Sequence, residues 1–398
     1  MPDSAPIRPK DRFLVFGAPA IEDAEIEAVV ATMRSGWLGT GPQTALFEQE
    51  IARYKHSPHA IALNSCTAAL HLSLLASGIG PGDEVITTPM TFCATANAII
   101  HAGATPVLAD VDPVSMNIDP QAVAAAVTER TRAILPVHFA GRPCDMDGLL
   151  AIASRHRLKV IEDCAHAIET EYRGRPVGTF GDFGCLSFYV TKNIITGEGG
   201  MVLTRSEGDA ARIKVLGLHG MSKDAWKRFG DDGYKHYQVV EAGFKYNMMD
   251  MQAVIGLHQL RRIEQYWSRR LEIWQRYQRA FADLPLGLPA EPEPDTRHGL
   301  HLYTVLVDPQ RTGGLSRDAF LTGMTHHNIG VGVHYLSLTE HPYYQSRFGW
   351  ALEDFPHATR IGRQTVSLPL SAKLNDDDVT DVIRAVRDVL GARRENAR

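Results

Sequence analysis

An alternation of short apolar runs with helical patterns, kept up from about residue 20 to residue 205, constrains this chain more than any other feature. Apolar runs of strand length stand at 59–63, 84–88, 106–109, 133–139 and 159–161. Helical patterns over 68–77, 94–101, 120–128 and 146–156 separate them, and the turn Pro81-Gly82-Asp83 precedes the second strand. A further helix over 21–35 has an acidic first turn (Glu22, Asp23) and stops at Gly36, both ordinary boundary signals. Strands spaced by helices join through right-handed crossovers, which predicts a mostly parallel sheet with helices on both faces. Ligands of such sheets gather outside the carboxyl ends of the strands. Asn64-Ser65, Thr91-Phe92, His138 and Asp163 stand at those ends and are expected to project together.

After a strand at 201–204 the pattern changes. A helix over 209–216 leads into 217–243, a polar, aromatic and glycine-containing stretch that reads as a long loop of the kind that usually carries function. Long helices over 251–266 and 267–284 follow, then a proline-rich connector at 285–297. Strands at 301–307, 331–336 and 365–368 with helices over 317–327 and 376–390 make a smaller α+β layer. The 398 residues exceed the ~250–300 that one core serves, so two domains are expected. The division falls at 1–255, with an N-terminal arm over 1–20, and 256–398.

Composition removes several function classes. A net charge of −5 without a long basic block argues against a nucleic-acid surface. No uninterrupted apolar run of about 18 residues occurs and the start lacks an apolar leader, so neither a membrane span nor a secretion signal is expected. The five cysteines are scattered without a C-x-x-C pair, which fits a reducing cytoplasm. Cys66, Cys93 and Cys164 read as small buried thiols rather than nucleophiles or metal ligands, and no metal site is expected.

The chemistry is concentrated in Ser187-Phe188-Tyr189-Val190-Thr191-Lys192-Asn193, followed by Thr196-Gly197-Glu198-Gly199-Gly200, and upstream in Val160-Ile161-Glu162-Asp163. A lysine after one strand and an aspartate at the tip of another suit a pyridoxal phosphate enzyme. The ε-amine condenses with the aldehyde, and the carboxylate keeps the ring nitrogen protonated. Most lysines are surface groups and many such aspartates are helix caps, so neither residue is diagnostic alone. Burial at the end of a strand lowers a lysine pKa and frees the amine. Glu162, one residue from Asp163, points to the opposite face of the strand. Residues 64–70 (Asn-Ser-Cys-Thr-Ala-Ala-Leu) follow a strand and open a helix, a phosphate-binding arrangement that ordinary N-caps also imitate. Phe92 reads as a stacking plate or a core aromatic. His166 reads as a donor to the ring oxygen or a satisfied buried histidine.

These segments, in this order, resemble the DegT/DnrJ/EryC1/StrS sugar aminotransferases of the aspartate aminotransferase (fold type I) superfamily. The similarity runs from Gly36-Trp37-Leu38-Gly39-Thr40-Gly41-Pro42 through Pro136-Val137-His138, Glu162-Asp163 and Thr191-Lys192-Asn193 to Ser367-Leu368-Pro369-Leu370. It implies a large domain with a mostly parallel seven-stranded-type sheet, a smaller C-terminal α+β domain, and pyridoxal 5'-phosphate as cofactor. Lys192 resembles the Schiff-base lysine that also moves the substrate proton, Asp163 the pyridinium partner and Phe92 the stacking ring. Ser187 and the Cys66–Thr67 pair resemble the phosphate ligands. His166 stands where many relatives have glutamine, and the resemblance implies contact with the ring hydroxyl. Gly243-Phe244-Lys245-Tyr246-Asn247 departs from the family's common "GYNYR", a segment that contacts the phosphate in the neighbouring subunit. Lys245 or Asn247 is the implied contact, and a homodimer with shared sites the implied assembly. Thr40, His334 and Tyr335, with His341, Pro342 and Tyr343, resemble substrate-side residues, although an exposed aromatic loop explains the last five equally well.

The implied reaction passes the amine of an amino acid, L-glutamate, to a nucleotide-linked ketosugar. The variant segment is similar to the branch that includes 4-amino-4-deoxy-arabinose synthases. Other relatives act on cyclitols or make an aminohydroxybenzoate, and these alternatives stay open. Relatives that are sugar 3-dehydratases carry histidine in place of the lysine, which Lys192 argues against. A non-catalytic cofactor-binding regulator is disfavoured by Lys192 and Asp163 and by the lack of a helix-turn-helix pattern.

Overall fold

A computed structural model describes residues 5–222 and 237–391. Nine strands precede residue 205: β1 (His59–Leu63), β2 (Glu84–Thr87), β3 (Thr105–Leu108), β4 (Thr131–Leu135), β5 (Lys159–Asp163), β6 (Glu171–Tyr172), β7 (Arg175–Pro176), β8 (Phe183–Ser187) and β9 (Gly200–Thr204). β10 (Thr296–Arg297), β11 (Tyr303–Leu306) and β12 (Thr365–Leu368) follow. Seven of these form one sheet in the order β1-β9-β8-β5-β4-β2-β3. The pairs from β8 to β3 are parallel, while β9 runs antiparallel to both β1 and β8. The fold is thus the mixed α/β architecture of fold type I. Because β9 runs the other way, its first residue, Gly200, lies at the edge where the parallel strands end.

The helices in chain order are α1 (Asp23–Ser35), α2 (Pro42–Tyr54), α3 (Cys66–Ala76), α4 (Cys93–His101), α5 (Pro120–Ala126), α6 (Met146–His156) and α7 (Glu207–Gly217). After them come α8 (Asp250–Arg261), α9 (Ile263–Phe281), α10 (Arg317–His326), α11 (Pro342–Phe348), α12 (Pro356–Gln364) and α13 (Asp376–Gly391). α3 positions the site. Its residues from Ala68 to Leu74 are all buried, because the helix crosses β9, β8 and β5 beneath α4 and α7. Each of its buried leucines contributes about 1.5–3 kcal/mol. Its N-terminus is therefore held over the middle of the sheet edge.

The second layer is built on the β11–β12 pair, covered by α9, α10 and α13. Tyr277, Phe281, Tyr303, Phe320, Val382 and Val386 pack there in one apolar cluster. Leu14 from the N-terminal arm joins it and bridges to Ile329.

Four expectations need correction. α2 lies in a stretch that strand–helix spacing left without an element. Its N-cap is Gly41, and the capping oxygens come from distant Asp250, which accepts from the amides of Gly41, Gln43 and Thr44. The long helices divide at Arg262 rather than Tyr266, where the guanidinium ties the end of α8 to Glu22 and Glu25 of the α1 start. No strand forms over 331–336: Gly332 bridges once to Ser367 and the chain then turns toward the site. His138 does not project with Ser65, Thr91, Phe92 and Asp163. Its Nε2 faces Glu162, its Nδ1 accepts from the Cys144 amide, and it is fully buried behind the sheet edge. Of the expected loop over 217–243, residues 223–236 lie outside the described residues. Its flanks pair through Met221 and Val239.

Candidate active site

A cavity of about 530 Å³ opens at the carboxyl edge of the sheet and is roofed by residues of the second layer. Ser65, Cys66, Thr67, Phe92, Asp163, His166, Ser187, Lys192, His334 and Tyr335 all line it. The local reasons are elementary. Ser65 caps α3 by accepting from the Ala68 amide at 3.1 Å, which leaves the first amides of the helix and the Thr67 side chain facing outward. Gly200 permits this: a Cβ there would lie 2.3 Å from the Ser65 carbonyl carbon, so α3 can approach β9 only with no side chain present. The turn before it passes through Gly197 at φ +82, a conformation suited to glycine.

Asp163 ends β5 with its carboxylate held from two sides. Thr95 Oγ1 donates to Oδ2 at 2.9 Å and the Ala165 amide to Oδ1 at 3.1 Å. Burial raises its pKa despite these bonds and despite Lys192 and His138 nearby. Such a carboxylate still gains from a cationic partner, which a protonated ring nitrogen supplies. Burial pushes the Lys192 pKa down to about 8, against Cys66 and Asp163. The Cys66 thiol is itself held protonated by burial, so at neutral pH the opposing attraction comes from Asp163. A lysine poised near neutrality, a carboxylate seeking a cation and a helix N-terminus fit pyridoxal phosphate. The phosphate, the ring nitrogen and the aldehyde each find a matching group. Phe92 is 59% exposed in the protein alone, and its ring forms part of the wall.

Sequence reasoning missed a polar network beneath Lys192. Asn193 Nδ2 donates to Glu169 Oε2 and to the Gly299 carbonyl, each at 2.7 Å, and its Oδ1 lies 3.0 Å from His301 Nδ1. Glu169 also accepts from Arg270, and both are buried. His301 in turn packs on His166, ring centroids 4.4 Å apart. The signal for Asn193 was its place next to Lys192; His301 carried none beyond opening a predicted strand. Thr95 and Glu198, which also line the cavity, were likewise not singled out.

Three of the predicted residues lie elsewhere. Lys245 Nζ donates to Asn247 Oδ1 at 2.6 Å, and Asn247 Nδ2 to Thr40 Oγ1 at 2.7 Å. Thr40 and Asn247 line a separate groove beside Trp37 and Leu63. The strand-like alternation of this segment turns Phe244 and Tyr246 inward onto His71 and leaves Lys245 outward. His341, Pro342 and Tyr343 open α11 away from the cavity wall. His138, Glu162 and Cys164 bring ligand-type atoms within 4.8 Å of one another, but the Glu162 oxygens are already taken by His138 and three amides.

A mostly parallel sheet that presents a lysine, a buried carboxylate and a helix N-terminus to one cavity is the design of a fold type I pyridoxal phosphate enzyme. The chain belongs to the DegT/DnrJ/EryC1/StrS aminotransferase family, whose model matches residues 19–387. It is 50% identical over 385 residues to the spore coat polysaccharide biosynthesis protein SpsC of Bacillus subtilis (strain 168), covering 96% of this chain and 99% of that protein. Spr1654 from Streptococcus pneumoniae, assigned as a sugar aminotransferase, has been solved in a pyridoxal phosphate form. It superposes with a TM-score of 0.88 at 32% identity, covering 95% of this chain and 98% of that one. PseC of Helicobacter pylori, an aminotransferase of pseudoaminic acid biosynthesis, gives 0.88 at 28% identity, over 96% of this chain and 100% of that one. The protein is a pyridoxal phosphate-dependent aminotransferase. Among the described residues, no helix is long and apolar enough to cross a membrane.

Proposed function

We propose that this protein moves the amine of L-glutamate to the keto carbon of a nucleotide-linked sugar, of 4-keto-6-deoxy or related type. The product is an aminosugar for polysaccharide or natural-product glycan synthesis. The observation that carries the reading is the convergence of Lys192, Asp163 and the α3 N-terminus on one cavity. The likeness to SpsC and PseC supports a sugar as the acceptor.

When bound, pyridoxal phosphate supplies an electrophilic aldehyde and an electron-accepting ring. On this reading Asp163 holds a proton at the ring nitrogen, and Thr95 and the Ala165 amide keep its oxygens in place. The amides of Cys66 and Thr67, with the Thr67 and Ser187 hydroxyls, bind the phosphate. Phe92 covers the ring face and excludes water. Lys192, with a pKa near 8, has a ready fraction of free amine at neutral pH and moves the proton from the substrate carbon. His334 and Tyr335 border the substrate side.

The working unit is proposed to be a cytoplasmic homodimer. Lys192 is the single lysine or arginine among the described residues lining the cavity, and it is engaged in the chemistry. Phosphate and substrate anions therefore call for a cation from outside this wall, and outward-facing Lys245 of a second copy is the proposed source, with Asn247 and Thr40 beside it. The division into a cofactor-binding unit over 1–255 and a smaller unit over 256–398 belongs to the same proposal. Loaded protein given L-glutamate alone should release one 2-oxoglutarate per site; no release would remove glutamate as the donor.

A further inference from the structure

The cavity wall contains a hydrogen-bond chain whose direction the geometry fixes. The Ala140 amide points at His166 Nδ1 at 3.2 Å. An amide nitrogen only donates, so Nδ1 must carry a lone pair. The opposite tautomer, and the imidazolium, would each set two N–H groups against one another there. His166 is therefore neutral with its proton on Nε2, and Nε2 lies 3.0 Å from the Tyr335 hydroxyl. The donor in that pair is His166, and the acceptor is the phenol oxygen. Tyr335 keeps its own proton, since burial, with Asp163 and Cys93 nearby, raises its pKa. Its O–H finds no acceptor among the described residues and belongs to a residue that lines the cavity.

Backbone strain holds the start of this chain. Ala140 adopts φ +56, a left-handed conformation that is uncommon for a residue with a side chain, and its carbonyl accepts from the amide of His301 at 3.0 Å. Its neighbour Gly141 accepts from Thr170 Oγ1 and the Gly299 amide, each at 2.7 Å. Strain retained in a buried loop behind a cavity wall is a feature of functional sites, where surrounding structure holds it in place.

We propose that His166 is a positioning residue that turns Tyr335 into a directed hydrogen-bond donor toward an oxygen acceptor in the cavity. Resting on the sugar-aminotransferase reading above, this reassigns His166, expected from resemblance to touch the ring hydroxyl itself. The acceptor is a carbonyl or phenolate oxygen, of which the site offers two sources: the cofactor's ring oxygen and the keto oxygen of the sugar. Lys192, His301 and His334 face His166, and burial together with Lys192 holds all three histidines below their usual pKa. The tautomer is accordingly constant across the neutral range.

Two experiments test this. In cofactor-free protein labelled with 15N-histidine, His166 should show a protonated Nε2 and an unprotonated Nδ1 from pH 6 to 9; the reverse tautomer or an imidazolium overturns the proposal. This measurement needs no substrate, so it stands apart from any failure of the sugar reading. In the loaded protein, Tyr335→Phe should act in one of two ways. An upward shift of the cofactor's absorbance transition by about one pH unit, a tenfold change, identifies the ring oxygen as acceptor. An unchanged spectrum with the sugar half-reaction slowed about tenfold or more, and the glutamate half-reaction intact, identifies the keto oxygen. Spectrum and both half-reactions within twofold of wild type overturn it. His166→Phe should reproduce the Tyr335→Phe effect, and the double variant should add nothing to either; additive losses contradict positioning.

Discussion

Glu162 and Asp163, consecutive on β5, serve opposite faces of the sheet. Asp163 faces the cavity, while Glu162 is caged by His138 at 3.1 Å and by the amides of Gly178, Phe180 and Gly181 at 2.7–2.8 Å. The alternation of a strand separates the carboxylate proposed to do chemistry from one that holds the strand. Burial works to raise the Glu162 pKa, but His138 and the amides win and hold it below the usual range. A depressed carboxylate stabilises the fold above its unfolded pKa, and that stability is lost as pH falls through the folded value. Glu162→Gln should cost about 3 kcal/mol near neutral pH, less in acid, while the folded fraction stays active. Asp163→Asn should fold normally and lose most of its turnover. Urea unfolding and single-turnover rates separate the two, and a stable but inactive Glu162→Gln would reverse the assignment.

Lys192 should react as an amine with a midpoint near pH 8 in cofactor-free protein, well below the ordinary lysine value of 10.5. Competitive labelling read by mass spectrometry checks this. Between those two pH values the folded state binds fewer protons than the unfolded one at this site, so stability should rise with pH there. Lys192→Met should remove that rise together with the lysine-linked absorbance of the cofactor. A labelling midpoint near 10 would mean the amine is solvated.

Arg270 and Glu169 form a buried ion pair under the active-site turn, and Arg270 Nε has no partner among the described residues. Removing one member of such a pair leaves an uncompensated charge. Arg270→Met should destabilise by about 3–5 kcal/mol in chemical denaturation. Because Glu169 also holds Asn193, cofactor affinity should fall as well. Arg270→Met with Glu169→Gln should recover part of the loss, and failure to recover would show that the pair is not coupled.

The proposed sharing of sites between two copies can be tested by complementation. Lys192→Ala and Lys245→Ala should each be weak alone, whereas subunit exchange between them should restore activity. Each mixed dimer then contains one site with Lys192 from one copy and Lys245 from the other. No gain on mixing, with exchange shown by mass, would place Lys245 outside the site.

Much of this architecture was legible because one periodicity dominated it. β1, α6 and β12 fall where their patterns put them, and β5 differs only at its end. The approach of Lys192 to Asp163 followed from parallel strands ending at one edge. What escaped notice depended on distant partners. α2 has Pro42 at its first position and Phe47 and Ile51 one turn apart, signals that were present, but its cap comes from Asp250 far along the chain. The Asn193–His301 contact joins residues that no local pattern relates. His138 was misplaced because its position at a strand end does not say which face its side chain takes; Glu162 decided that.

Following the nitrogen shows whether the amine passes to a nucleotide-linked ketosugar. The loaded protein would be incubated with 15N-glutamate and a panel of nucleotide-ketosugars, and the sugar nucleotides read by mass. The label should appear in one of them, dependent on Lys192. Formation of 2-oxoglutarate with no label in any nucleotide sugar, while the nitrogen appears in a cyclitol or stays on the cofactor, would rule out a nucleotide-linked ketosugar as the acceptor.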